Sequence, residues 1–259
     1  MPLLRTASAT VEYACFGTGD PVTVFAHGVS ASIPETRPLA SGIGGTRAFL
    51  HFRAHGASVA HDDRYDYPAL AGDLRAVADA TGATRALGVS MGSAALLHLL
   101  LETPDRFERA VLFLPAILDT PRSDVGFERL ERMADLIDED DAEELAAELA
   151  KDLPEDLRDR PHVADFVHDR AESLVGTQLG SLMRVLPEQT PMADRSELAR
   201  LTLPVLVVGQ EGDEVHPASV ARDIAAELPN AQLEVFSEGS ALWDDRKALR
   251  RLLSNFFSA

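Results

Sequence analysis

The sequence predicts an α/β fold, with a mostly parallel central sheet, flanking helices and an inserted helical cap. Three observations carry this reading. Short apolar runs recur at 22–26, 46–52, 85–89, 109–114 and 203–208, and stretches of helical period separate most of them. Buried parallel strands joined by crossover helices read this way. Second, the run ending at Gly88-Val89-Ser90-Met91-Gly92 passes straight into the helix-forming Ser93-Ala94-Ala95-Leu96-Leu97. Third, strand signals cease from 119 to 188, where only amphipathic helices can be read.

The elements follow in order. Residues 10–16 alternate and end in the turn signal Gly17-Thr18-Gly19-Asp20. The strand at 22–26 leads to His27-Gly28-Val29-Ser30, and 34–41 is a short helix. The strand at 46–52 ends in Arg53-Ala54-His55-Gly56-Ala57-Ser58. A helix over 67–81 carries Leu70, Leu74, Val77 and Ala78 on one face and closes at Gly82. The strand 85–89 enters the helix 91–101, and the strand 109–114 stops at Pro115. Helices at 125–137, 140–153, 163–174 and 179–186 fill the insertion, where Asp138-Glu139-Asp140-Asp141 reads as a solvated helix start. A strand at 203–208, a helix at 220–228, a strand at 232–236 and a helix at 247–257 complete the chain. The division expected is a core of 1–118 and 189–259 with a helical cap of 119–188.

Composition narrows the partners. The net charge is −18, with lysine only at Lys151 and Lys247. Such a surface repels nucleic acid and anionic membranes, so neither is expected as a partner. No apolar run is long enough to span a bilayer, and the first ten residues lack a signal-peptide pattern. The single cysteine, Cys15, excludes an internal disulfide, fits a cytoplasmic setting and is expected to be a small buried residue of an early strand. No metal cluster or phosphate-cradling loop is present, and Gly42-Ile43-Gly44-Gly45 precedes a strand, so no cofactor is expected. The partner is a small molecule, apolar or mixed in character, and the chain a monomer or homodimer.

The Gly-x-Ser-x-Gly at 88–92 is the pattern of a nucleophile elbow, in which a strand turns sharply into a helix and lifts a serine hydroxyl at the tip. The backbone N–H of Met91, first in that helix, can face a developing oxyanion. With His27-Gly28, the Arg53 to Ser58 loop, and Gly209-Gln210-Glu211-Gly212-Asp213 followed by Pro217, the chain resembles the α/β-hydrolase fold family over nearly its whole length. The resemblance implies that Ser90 is the nucleophile, that the N–H groups of Val29 and Met91 form the oxyanion hole, and that Asp213 is the acid orienting a histidine.

The histidine is where the match fails. In the family it follows the last strand, where this chain reads Ser237-Glu238-Gly239-Ser240-Ala241-Leu242-Trp243, with Ser240 at the expected position. A neutral hydroxyl is too weak a base to activate Ser90. His27 and His55 belong to loop-packing motifs, His98 lies too deep, and His51, His61 and His162 have no clear role. His216 and His168 are the alternates that could substitute. The expectation is therefore a serine hydrolase of esters, thioesters or lactones whose activity is weak, altered or abolished. The alternatives are a lyase, decarboxylase or isomerase using Ser90 as a donor, and a ligand-binding protein that has lost turnover. His27, Phe127, Leu130, Met133, Phe166, Leu182 and Trp243 are the residues expected to face the substrate.

Overall fold

The computed structural model describes residues 1–153, 155–158, 160–239 and 241–259, with the backbone alone at 156. The elements are β1 (Leu3–Arg5), β2 (Ala9–Phe16), β3 (Val22–Ala26), α1 (Ile33–Thr36), β4 (Thr46–Leu50), β5 (Val59–Ala60), α2 (Tyr67–Thr81), β6 (Arg85–Val89), α3 (Met91–Glu102) and β7 (Arg109–Phe113). They continue with α4 (Val125–Asp138), α5 (Ala142–Ala150), α6 (Glu155–Arg158), α7 (Pro161–Leu174), α8 (Leu179–Val185), β8 (Val205–Gln210), α9 (Ala218–Glu227), β9 (Ala231–Phe236) and α10 (Arg246–Ser258).

Among the described residues one sheet runs in the order β1-β2-β4-β3-β6-β7-β8-β9, with β5 on β2. Pairing is antiparallel at β1/β2, β2/β4 and β2/β5 and parallel from β4 to β9. Sequence and structure thus agree on the mostly parallel α/β architecture. The differences are local. β1 and β5 are three- and two-residue edge strands, too short to carry a period. The strand expected over 46–52 ends at Leu50 because His51 and Phe52 turn into the loop beneath the site. Cys15, next to last in β2, is exposed, which corrects its expected burial.

Local chemistry sets the helix ends. The Asp66 carboxylate accepts from the Ala69 N–H at 2.8 Å and caps α2, and Gly82, left-handed at φ 67°, closes it. Asp124 caps α4 in the same way, and Asp141, last of the acidic run, caps α5 through the Glu144 N–H at 3.0 Å. On one face the sheet packs Leu70, Leu74 and Val77 of α2 and Leu96 and Leu100 of α3 into a core that extends to Met133, Ile137 and Leu182. On the other, Phe25, Leu87, Val111 and Phe113 meet Leu249, Leu253 and Phe257 of α10. The helical segment α4–α8 connects β7 to β8, with α4 against α8 and α5 against α7. No helix among the described residues is long and apolar enough to cross a membrane.

One ion pair is sealed inside this core. The fully buried Arg53 directs Nε and Nη2 to Asp73 at 2.9 and 2.8 Å and Nη1 to the Arg64 carbonyl at 2.7 Å. It locks the loop after β4 to α2, close behind the site.

Candidate active site

The site forms at the carboxyl ends of the parallel strands, where α/β sheets present their clefts. At the end of β6 the chain turns through Ser90 at φ 50° and ψ −111°, a strained backbone for a residue with a side chain. The flanking glycines explain how the turn closes. A Cβ on Gly88 would lie 2.3 Å from the Gly92 carbonyl oxygen, and one on Gly92 would lie 2.5 Å from that of Ala26. Only glycine lets β6, α3 and the end of β3 come so close. Ser90 N–H donates to the Phe113 carbonyl at 3.0 Å, and the buried Ser93 hydroxyl ties back to Gly88 O at 2.7 Å. The elbow is pinned from both sides.

Beyond β8 the loop 211–216 rejoins the sheet through a bridge between Gln210 and Pro217. This return carries His216 across to the elbow. Its Nε2 lies 2.9 Å from Ser90 Oγ, and its Nδ1 lies 2.9 Å from Asp213 Oδ2. Because a carboxylate only accepts, Nδ1 carries the proton and Nε2 is free to accept from the Ser90 hydroxyl. The other Asp213 oxygen accepts from the backbone N–H groups of Val215 and His216 at 3.0 and 2.8 Å. Burial by itself would raise the Asp213 carboxyl. The hydrogen bond from the His216 ring, with the backbone N–H groups of His216 and Val215, outweighs it and holds the group below the ordinary carboxylate value.

Opposite lies the loop after β3. His27, His51 and His55 stand edge to face beneath it. His27 Nδ1–H donates to Gly28 O at 2.7 Å and its Nε2 accepts from Phe52 N–H at 3.0 Å. His51 accepts from Ile33 N–H at 2.9 Å and donates to Glu12 at 2.7 Å. His55 accepts from Ser30 N–H at 3.1 Å. Both ring nitrogens of each are engaged, so His27 supports the loop from below and does not face substrate, which corrects that expectation.

Burial disfavours the charged forms of His27 and His55 and lowers both. It is the main cause that pushes His55 from 6.5 down to about 4, with the nearby Arg170 charge adding to it, against the hydrogen bonds it makes to Arg53 and Phe52. A histidine depressed on folding binds its proton more readily in the unfolded chain, so stability is full above about 6.5 and falls as pH drops toward 4. At about 1.4 kcal/mol per pH unit, the gap corresponds to about 3 kcal/mol for this group. His55→Gln is therefore expected to flatten the loss of thermal stability between pH 7 and pH 4.5, read by melting temperature. An equally steep profile in the variant would contradict this.

Between elbow and loop lies a pocket open to solvent. Val29, Ser90 and Met91 form one wall, and Tyr67, Ala116, Ile117, Arg122, Leu130, Leu186 and Pro187 the rest. Of the apolar residues expected to face substrate, Leu130 does so. Met133 and Leu182 instead fill the interior of the helical segment, Phe127 is partly buried outside the pocket lining, and Phe166 and Trp243 are exposed. Sequence reasoning missed Tyr67 and Arg122. The pointer to Arg122 was its position in the segment leaving the carboxyl end of β7. His98 bonds to the Pro191 carbonyl, and His168 is exposed beside Glu172. Ser240, the residue placed at the base position, lies outside the described residues; its neighbour Ala241 donates its N–H to the buried Gln210 at the end of β8.

Comparison with known proteins gives a consistent picture. Residues 24–242 match the alpha/beta hydrolase fold family. An esterase from Rhodococcus sp. superposes with a TM-score of 0.80 at 20% identity, covering 100% of this chain and 99% of its own. The enol-lactonase from Burkholderia xenovorans gives 0.78 at 18%, covering 100% of both chains, and a hydrolase from Pseudomonas aeruginosa 0.78 at 23%, covering 100% and 98%. With the matched segment spanning most of the chain, and with the sheet order and elbow described above, the protein belongs to the α/β-hydrolase fold family.

Proposed function

We propose that the protein is a serine hydrolase of carboxylic esters, thioesters or lactones, with Ser90 as nucleophile, His216 as base and Asp213 as its orienting acid. The observation that carries this is the His216 imidazole, bonded at 2.9 Å to Ser90 Oγ on one side and to Asp213 Oδ2 on the other. The base that the sequence reading sought after the last strand and found replaced by Ser240 is supplied in this proposal from the loop after β8. Activity then need not be weak.

The chemistry follows from the geometry. His216 Nε2 takes the proton as Ser90 Oγ attacks the acyl carbon, and Asp213 stabilises the resulting imidazolium. The N–H groups of Val29 and Met91, both on the pocket wall, hold the oxyanion. His216 returns its proton to the leaving oxygen or sulfur, then activates a water that hydrolyses the acyl-enzyme. Residues 119–188 act as the cap over a core of 1–118 and 189–259. The apolar wall with Tyr67 and Arg122 suits a modest substrate of mixed character. The esterase and the enol-lactonase of the same fold are compatible with this reaction class.

A fluorophosphonate probe tests the reading. The parent is expected to gain one covalent adduct, located on Ser90 by mass spectrometry, and to lose its p-nitrophenyl butyrate hydrolysis in step. A parent that neither reacts nor hydrolyses esters would overturn the proposal in favour of a lyase or binding role.

A further inference from the structure

Arg170 on α7 stands far from Ser90 in chemistry, yet it grips the loop that faces the nucleophile. Its Nη2 donates to the Ser30 carbonyl at 2.9 Å and to Ser30 Oγ at 3.1 Å, and its Nε reaches the same carbonyl at 3.3 Å. Its Nη1 meets Glu35 at 3.1 Å, and Glu35 in turn accepts from Ser32 Oγ at 2.7 Å. The Arg170 side chain is 16% exposed.

The residue it grips is strained. Ser30 is buried at φ 58°, a left-handed backbone that is strained for a side-chain-bearing residue and persists only where its surroundings hold it. Two peptide planes then link Arg170 to the pocket. The unit that carries the Ser30 carbonyl also carries the Ala31 N–H, which donates to Gly28 O at 3.2 Å. Gly28 O, held from below by His27 as well, belongs to the same peptide unit as the Val29 N–H. In a trans peptide the carbonyl and N–H point in opposite directions. Fixing Gly28 O inward therefore aims the Val29 N–H outward, toward the pocket it lines.

We infer that Arg170 is a positioning residue, which couples the docking of the helical segment to the orientation of the Val29 N–H as an oxyanion donor. The inference rests on the hydrolase reading above. The buried histidines hold the loop from the core side whether or not α7 is seated. Arg170 holds it from the other side only when α7 is seated, so displacing α7 releases the Ser30 peptide and the donor with it.

The test is kcat and KM for p-nitrophenyl butyrate, with inhibition by an aryl trifluoromethyl ketone, in the parent, Arg170→Gln and Arg170→Lys. The ketone forms a hemiketal oxyanion with Ser90 and reads the donors directly. Loss of a whole oxyanion donor costs about 10²–10³ in turnover, so misaiming one is expected to lower kcat by roughly 10–100-fold in Arg170→Gln. KM should stay near the parent value, ketone inhibition should weaken by a similar factor, and Arg170→Lys, which keeps a cation but loses the fork, should fall between. Unchanged kcat and ketone affinity, or a rise in KM alone, would overturn the inference. If Arg170→Gln fails to fold, Arg170→Lys decides by the same readings. A parent without esterase activity would instead remove the hydrolase reading itself.

Discussion

Replacing His216 with alanine is expected to reduce kcat for ester hydrolysis by on the order of 10⁶, as far as Ser90→Ala does. Among the described residues His216 is the one that reaches the Ser90 hydroxyl, so its loss leaves that proton without a base there. The Asp213 carboxylate, 2.9 Å from the imidazole, would lose its partner but not its two backbone donors, so the loop should keep its shape. Because nucleophile and base act as a unit, the double variant Ser90→Ala/His216→Ala should be no slower than either single one. Asp213→Asn should be less severe than His216→Ala yet still cost on the order of 10⁴, since the amide lets the imidazole take the wrong tautomer. Stopped-flow traces with p-nitrophenyl butyrate separate the cases: parent and Asp213→Asn release product at measurable rates, and the His216 and Ser90 variants show neither burst nor turnover above background. Additive losses in the double variant would mean that His216 and Ser90 do not act on the same proton.

The largest expected effect on stability lies behind the site, at Asp73. Its carboxylate and the Arg53 guanidinium are both sealed from water, and Arg53 also bonds to Arg64 O. Removing Asp73 leaves the buried Arg53 guanidinium with only the part-exposed Asp62 carboxylate, 3.3 Å away, in a medium that solvates the charge poorly. Asp73→Ala is therefore expected to cost about 3–5 kcal/mol. In a domain of this size that lowers the melting temperature by roughly 10 °C. The double variant Arg53→Met/Asp73→Leu removes both charges and should recover part of the loss, which denaturant midpoints would show. A double variant less stable than Asp73→Ala would mean that the remaining Arg53 contacts, to Arg64 O, Asp62 and Ser8, matter more than the pair.

Most of the architecture was legible because buried parallel strands and amphipathic helices write their periods into the sequence. The runs at 22–26, 85–89 and 109–113 are strands that are central in the sheet, and their apolar content follows from burial on both faces. The elbow was legible for a steric reason: Gly88 and Gly92 sit where a single extra carbon would strike backbone. What sequence could not show was where an imidazole travels in three dimensions. His216 is three residues from Asp213, so its nearness to that carboxylate was implied. Its reach to Ser90, 126 residues away, depends on the Gln210–Pro217 bridge turning the loop back. The apolar face expected to meet substrate was misassigned for a related reason. Met133 shares the helical period of Leu130 on α4 and Leu182 sits on α8, and only the packing of α4 on α8 decides which of them fills the interior.

The central claim, that the base comes from the loop after β8, is tested most directly by comparing p-nitrophenyl butyrate hydrolysis of His216→Ala and Ser240→Ala with the parent under one set of conditions. The account predicts that Ser240→Ala keeps the parent's kcat and that His216→Ala falls to the level of Ser90→Ala. A His216→Ala variant that stays active while Ser240→Ala loses turnover would contradict it.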